Sequence, residues 1–277
     1  MKRFPHLLLA AMLMAPASQG AWSAEVLGVN DLLDVLVSSY PEALARHDGA
    51  HVYWRDGTAM DVTDGRDDKA FDDLLANASI LDQFRLRYLR GRLAEPPTLN
   101  VDPGRFRNEA FFRKMYGDCH KGEVQRNIVP ITWLPKTWGK TVQVTRVNGV
   151  APTLKQVSDE IDALPAAIKA AAWPIAGVFS CRAVKDTGRP SMHAYAAAID
   201  LNLKTSDYWL WQTAKGGNIP YRNRMPQEIV DIFEEHGFIW GGKWYHYDTM
   251  HFEYRPELLR ANSAAMPEMT VRPEPAR

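Results

Sequence analysis

Ser191-Met192-His193-Ala194-Tyr195-Ala196-Ala197-Ala198-Ile199-Asp200-Leu201-Asn202-Leu203 is the stretch on which the fold reading turns. From Ala197 onward it alternates. Ile199, Leu201 and Leu203 fall on one side and Asp200 and Asn202 on the other, the period-two pattern of a strand with one face on a core. Such a strand presents Asp200 on its polar face, shortly after His193. Downstream, Asp248-Thr249-Met250-His251-Phe252-Glu253 leads into a second strand, roughly Thr249 to Tyr254. It places His251 and Glu253 on one face and Phe252 and Tyr254 on the other.

Two imidazoles and one carboxylate suit a catalytic zinc, which takes three protein ligands and leaves one position open. His193, Asp200 and His251 supply that set, and Asp248, three places before His251, can stand beside the open position without being a ligand. A His followed by an Asp at this spacing is common by itself, and so is an Asp-x-x-His. Both halves together, in this order, are more specific.

At these residues the chain resembles the zinc D-alanyl-D-alanine carboxypeptidase and L-alanyl-D-glutamate endopeptidase family, the VanY-like peptidases of bacterial cell walls. That family's pattern is Ser-x-His-x-x-Gly-x-Ala-x-Asp, then a carboxylate, two residues, His and often Phe-Glu. Ser191, His193, Ala198, Asp200, Asp248, His251, Phe252 and Glu253 match it. Ala196 stands where the family has Gly, which is costly if the backbone there has positive φ. The resemblance implies an α+β fold of the Hedgehog/DD-peptidase kind, a mixed and largely antiparallel sheet with helices on one side. It also implies one zinc ion held by His193, Asp200 and His251, peptidoglycan peptides as substrate, and Asp248 as the base that takes a proton from the attacking water. Arg182 would stabilise the developing oxyanion or grip a substrate carboxylate. Ser191 would orient its loop by hydrogen bonds. Glu253 is a candidate acceptor for the other ring nitrogen of His251, while His246 and Trp244 are candidate cleft-lining residues. The competing function is a non-catalytic zinc module that binds cell-wall or protein partners on the same scaffold.

Outward from the motifs, Ile175 to Arg182 reads as a strand, and so do Val129–Trp133 and Thr141–Val147, with Asn148-Gly149 as a turn. Thr153 with Gln156 is a capping-box signature for a helix carrying Leu154, Val157 and Ile161 on one face, broken near Pro165. Pro226 opens another helix that ends at Gly237. Trp209, Trp211 and Trp240 read as core, with cleft walls as the alternative. The motif core spans 150–256 within a catalytic domain of 105–260. Pro96, Pro97, Pro103 and Gly104 mark a boundary before it. The preceding region, 24–104, reads as mainly helical, with a hairpin around Asp56-Gly57.

Lys2 and Arg3, an apolar run from Leu7 to Pro16 and small residues up to Ser23 follow the order of a secretory signal peptide, residues 1–23. The apolar run is too short to serve as an anchor, so the mature chain is expected to be periplasmic or secreted, with no membrane anchor. Cys119 and Cys181, the two cysteines, are then expected to pair, leaving Cys119-His120 no metal role. Residues 261–277 read as a loose tail. With 33 basic against 33 acidic side chains, the chain lacks the basic excess that nucleic-acid binding requires. Oligomeric state leaves no signature in the sequence.

Overall fold

The computed structural model describes residues 27–184, 188–212 and 219–261. The expected signal peptide, 1–23, and all of the expected tail but Ala261 lie outside the described residues, among which no helix is long and apolar enough to cross a membrane.

The N-terminal region opens with α1 (Val29–Ser39), whose Leu32, Leu33 and Leu36 are buried at helical spacing. Three short strands follow, β1 (Leu44–His47), β2 (His51–Trp54) and β3 (Ala59–Asp61), paired antiparallel in that order. The Asp56-Gly57 turn joins β2 to β3 with Gly57 at φ 84°, as the hairpin reading requires. α2 (Phe71–Asn77) comes next. The expectation of a mainly helical region is corrected here. Leu44 to Asp61 forms a sheet, and the Arg85–Arg107 stretch is without strand and, before the next helix, without α-helix. The apolar residues at helical spacing form real helices only where the runs are uninterrupted.

α3 (Glu109–Tyr116) buries its aromatic face, with Asn108 Oδ1 accepting from Phe111 N at its start. β4 (Ile128–Trp133) and β5 (Lys140–Thr145) form an antiparallel hairpin in the expected place. α4 (Val150–Ala163) begins three residues before the capping-box position, so Thr153 sits inside the first turn and donates its hydroxyl to Gly149 O. α4 stops before Pro165, which opens the short α5 (Ala166–Lys169). Ile175–Arg182 is corrected from strand to an extended connector, which meets the sheet only through an isolated Gly177–Asp200 bridge.

β6 (Ala198–Asp200), α6 (Gln227–Glu235), β7 (Phe238–Trp240), β8 (His251–Tyr254) and α7 (Pro256–Ala261) complete the chain. β8 runs in the middle of a three-stranded sheet, antiparallel to β6 on one side and β7 on the other. The fold is α+β, with antiparallel strand pairs throughout the described residues. β6 ends at Asp200 because a 3₁₀ turn begins at Leu203. Leu203, expected inward, is therefore exposed, while Ile199 and Leu201 are fully buried.

One buried core runs from Leu32 to Ala261 and includes Ile199, Phe233 and Phe252. Phe252 stacks on Phe233 with ring centroids 3.9 Å apart, which fixes the inner face of β8 and turns His251 and Glu253 to the other side. Of the Pro96–Gly104 stretch, expected to be a boundary, the end from Asp102 to Gly104 is buried, and Gly104 packs against this sheet. A side chain at Gly104 would meet Ile239 Cδ1 at 2.3 Å, so only glycine permits the approach. Arg255 in turn donates to Gly104 O at 2.7 Å. Across the same seam Tyr40 donates to Glu257, and Tyr88 to Glu234.

Candidate metal centre and active site

Register brings the first pair together. β6 and β8 pair with Asp200 opposite His251 and Ile199 opposite Phe252. Directly opposed residues share a face with their Cβ atoms about 5 Å apart, so Asp200 and His251 meet while Ile199 and Phe252 enter the core. His193 arrives from a 3₁₀ turn, Met192–Tyr195. Ser191 Oγ caps that turn by accepting from His193 N, and Ala196 ends it in the left-handed region, at φ 53°. The family's glycine position thus has positive φ, and Ala196 occupies it fully buried.

The convergence is tight. His193 Nε2 lies 3.2 Å from His251 Nδ1 and 3.1 Å from Asp200 Oδ1, and His251 Nδ1 lies 3.0 Å from the same oxygen. The far side of each ring is engaged: His193 Nδ1 is 2.6 Å from Val178 O and His251 Nε2 is 3.1 Å from Glu253 Oε2. A neutral imidazole has one N–H and one lone pair. If the outer acceptors take both N–H groups, the two lone pairs face each other and a carboxylate oxygen. If both rings are charged instead, two N–H groups point at each other. Both of these arrangements are repulsive, and positive charge, whether a metal ion bonded to all three atoms or a proton on one ring, relieves them. Tetrahedral zinc with bonds of about 2.0–2.2 Å separates its ligand atoms by roughly 3.3 Å, close to what is found here. The residues fit a metal ion. Burial pulls His251 down, but the hydrogen bonds that Asp200 and Glu253 accept from it outweigh this and raise the ring to about 10, so the pocket favours positive charge.

Glu253 is itself anchored. Burial raises its carboxyl, yet the Arg107 charge and the His251 hydrogen bond hold it at about 2. Arg255 reaches its Oε1 at 3.3 Å and Arg107 its Oε2 at 3.4 Å. His193 depends on the extended connector: Ser180 N donates to His193 O, and Asp200 N donates to Gly177 O. Cys119 and Cys181 form a disulfide with Cα atoms 5.7 Å apart, tying that connector to the turn after α3.

Asp248 lines the same cavity, about 340 Å³ in volume, and its Oδ1 is buried without a hydrogen-bond partner in the structure. Burial, and next the Asp200 charge, push its carboxyl up to about 7. A carboxyl poised near neutrality beside a cation-seeking cluster can pass protons.

The structure places Arg182, Ser191, Trp244 and His246 on the cavity wall with the three converging side chains. Trp209 and Trp211 follow the cleft-wall alternative and not the favoured core reading: both line the cavity, on a 3₁₀ turn, and Trp211 is about half exposed. Trp240 is core, as read. Three arginines went unrecognised in the sequence: Arg105, Arg107 and Arg189 all line the cavity. Arg189 donates to the carbonyls of Leu75 and Arg107. For two of them the sequence signal is Arg105-Phe106-Arg107, where alternation puts the arginines on one side and the buried Phe106 on the other.

Residues 185–254 match the family described as D-alanyl-D-alanine carboxypeptidase, about a quarter of the chain and the part that carries both motifs. The match supports membership of that peptidase family and a hydrolytic activity relevant to peptidoglycan. No curated protein and no solved structure matches the chain.

Proposed function

We propose that the chain is an exported, VanY-like zinc peptidase with a Hedgehog/DD-peptidase-like catalytic domain, cleaving peptidoglycan stem peptides at the D-Ala-D-Ala or the L-Ala-D-Glu bond. The observation that carries this reading is the buried Asp248 Oδ1, without a hydrogen-bond partner, in the same cavity as three converging electron-rich atoms. The order of residues 1–23 and the Cys119–Cys181 bridge support export to an oxidising compartment.

Zinc held by His193, Asp200 and His251 would supply Lewis acidity, polarising a peptide carbonyl and acidifying water. The protein side chains do the rest. Asp248 takes a proton from the water that attacks the carbonyl carbon. As the C–N bond breaks it delivers that proton to the departing amine. A nearby cation favours the charged form of a carboxyl, so Asp248 is ionised, and able to accept, from below neutrality upward. Arg182 on the wall stabilises the negative charge growing on the carbonyl oxygen. Glu253 and Val178 O hold the two imidazoles in the tautomers that present lone pairs inward.

Asp248→Asn decides between enzyme and binding module. The expected protein keeps one equivalent of zinc and loses roughly 10²–10⁴-fold in turnover, the usual worth of a positioned acid–base group. The readouts are metal analysis and mass spectrometry of purified muropeptides. Wild-type kcat/KM should rise with pH along an acidic limb below about 7 that the variant lacks. Equal action of both proteins on muropeptides would remove the peptidase reading.

A further inference from the structure

Part of the cavity wall, including Leu75, Arg105 and Arg107, comes from outside the segment that carries the family match. Asp102 is fully buried there and accepts three hydrogen bonds: from His246 N at 3.0 Å, from His246 Nδ1 at 2.7 Å and from Arg105 at 2.9 Å. Phe71 stacks on the imidazole and the edge of Trp209 packs against it, centroids 4.8 Å apart. Nδ1 is thereby committed and the ring cannot turn. Its Nε2 is what remains for a ligand.

A second hollow, walled by Phe71, Asp72, Leu75 and Ala76, opens beside the first and shares Leu75, Arg105, Trp209 and His246 with it. The cleft therefore continues past His246 into space that the hydrolytic step does not need. At the junction stand two cationic or donor side chains, Arg105 and His246, both braced by one buried carboxylate. Bracing of this kind removes the entropy of ordering the side chains from the cost of binding.

We propose that Arg105 and His246 form a subsite that holds a carboxylate of the substrate peptide, with Asp102 as the positioning residue and α2 as the outer wall. The proposal rests on the peptidase reading for the identity of the substrate. Charge-assisted bonds from a guanidinium and an imidazole are the partners an ionised carboxylate takes most readily. The subsite also gives the N-terminal region a role: it supplies recognition to chemistry located elsewhere.

The test measures binding, so that it does not depend on turnover. The full-length, zinc-loaded Asp248→Asn protein is titrated with synthetic L-Ala-D-Glu-L-Lys-D-Ala-D-Ala, the Glu joined to Lys through its γ-carboxyl, and with versions in which the Glu α-carboxylate or the terminal carboxylate is amidated. One of the two amides is expected to bind about 10-fold or more weakly than the free acid. Adding His246→Gln or Arg105→Gln should bring that ratio close to one, and adding Asp102→Asn should reduce it partway. Zinc content and thermal unfolding of each variant confirm a folded protein, and His246→Gln alone suffices if the arginine variant does not fold. Equal affinity for all three peptides, or a preference that survives both substitutions, overturns the subsite. Cleavage by the wild-type protein is scored separately, so a failed subsite and a failed peptidase give different results.

Discussion

Two clusters of histidine and aspartate adjoin the same cavity, and they differ in how their imidazoles are held. Around Asp200, two imidazoles have their outer nitrogens engaged by Val178 O and Glu253, so both inner nitrogens converge on one carboxylate oxygen within 3.2 Å. Around Asp102, one imidazole gives its Nδ1 to the carboxylate, and an arginine supplies the second positive partner. The first arrangement gathers three electron-rich atoms where a metal ion can bind, and the second already holds the Arg105 guanidinium. Proximity of His to Asp therefore does not define a metal site; the engagement of the distal ring nitrogen does.

The largest expected effect sharpens this contrast directly. His251→Ala removes one converging atom and leaves Asp200 and Glu253 without their shared partner, so zinc binding and turnover should both fall below detection. His246→Gln should leave zinc stoichiometry at one. Metal analysis after dialysis reads both. If the two variants lose zinc alike, the proposed difference between the clusters is wrong. Next in size is Glu253→Gln, which keeps the shape but removes the charge opposing His251. Replacing the group that orients a ligating imidazole typically costs 10–100-fold in metal affinity, measurable by competition with a chelator. Asp102→Asn, the equivalent change in the other cluster, should leave that affinity within about 2-fold of wild type, since Asp102 hydrogen-bonds to neither converging imidazole.

The two clusters were also unequally legible in the sequence. His193, Asp200 and His251 could be read because each sits in a short motif, and because period-two alternation assigns Asp200 and His251 to faces before any pairing is known. Glu253 followed from the same alternation. Asp102 and Arg107 could not be read: their partners His246 and Glu253 lie 144 and 146 positions away, and no local pattern records a contact of that range. Pro103 and Gly104 read as a break because their composition is that of a linker, whereas Gly104 is there to let the backbone lie against Ile239. Ile175 to Arg182 has the β-branched and aromatic content of a strand. Its neighbour β6 is only three residues long and offers it a single bridge, so the ladder never forms. Trp209 and Trp211 were placed by hydrophobicity alone, a rule that does not see where a strand ends.

The disulfide bears on one cluster and not the other. Cys181 lies three positions after Val178, whose carbonyl fixes His193, and it bridges to Cys119 across 62 residues. Loop-closure entropy for a loop of that length is worth about 4 kcal/mol in the chain-entropy model, and measured values usually fall lower. Cys119→Ser with Cys181→Ser should therefore lower unfolding stability by about 2–4 kcal/mol in urea titration. Zinc affinity should drop while the free-acid preference at Arg105 and His246 is retained. Loss of that preference together with the metal would mean the two sides of the cavity are coupled through the connector.

The smallest effect concerns Ala196, which carries His193 into place. A left-handed conformation costs a non-glycine residue about 1–2 kcal/mol, and Ala196 adopts one at φ 53°. Glycine would relieve that cost, but it adds freedom to the unfolded chain worth about 0.4–1 kcal/mol. It also gives up a fully buried methyl group, worth roughly 0.8 kcal/mol by transfer. The contributions nearly cancel, so Ala196→Gly should change stability by less than about 1 kcal/mol and leave zinc affinity unaltered. Ala196→Val meets the same backbone with a β-branched side chain, for which positive φ is a true outlier, and should cost more than about 2 kcal/mol and displace His193. The pair separates two explanations for alanine at this position. If glycine proves markedly stabilising, the turn is strained and the metal cluster is built on stored energy. If glycine is neutral and valine severe, the methyl group is part of the packing that holds His193 against Val178.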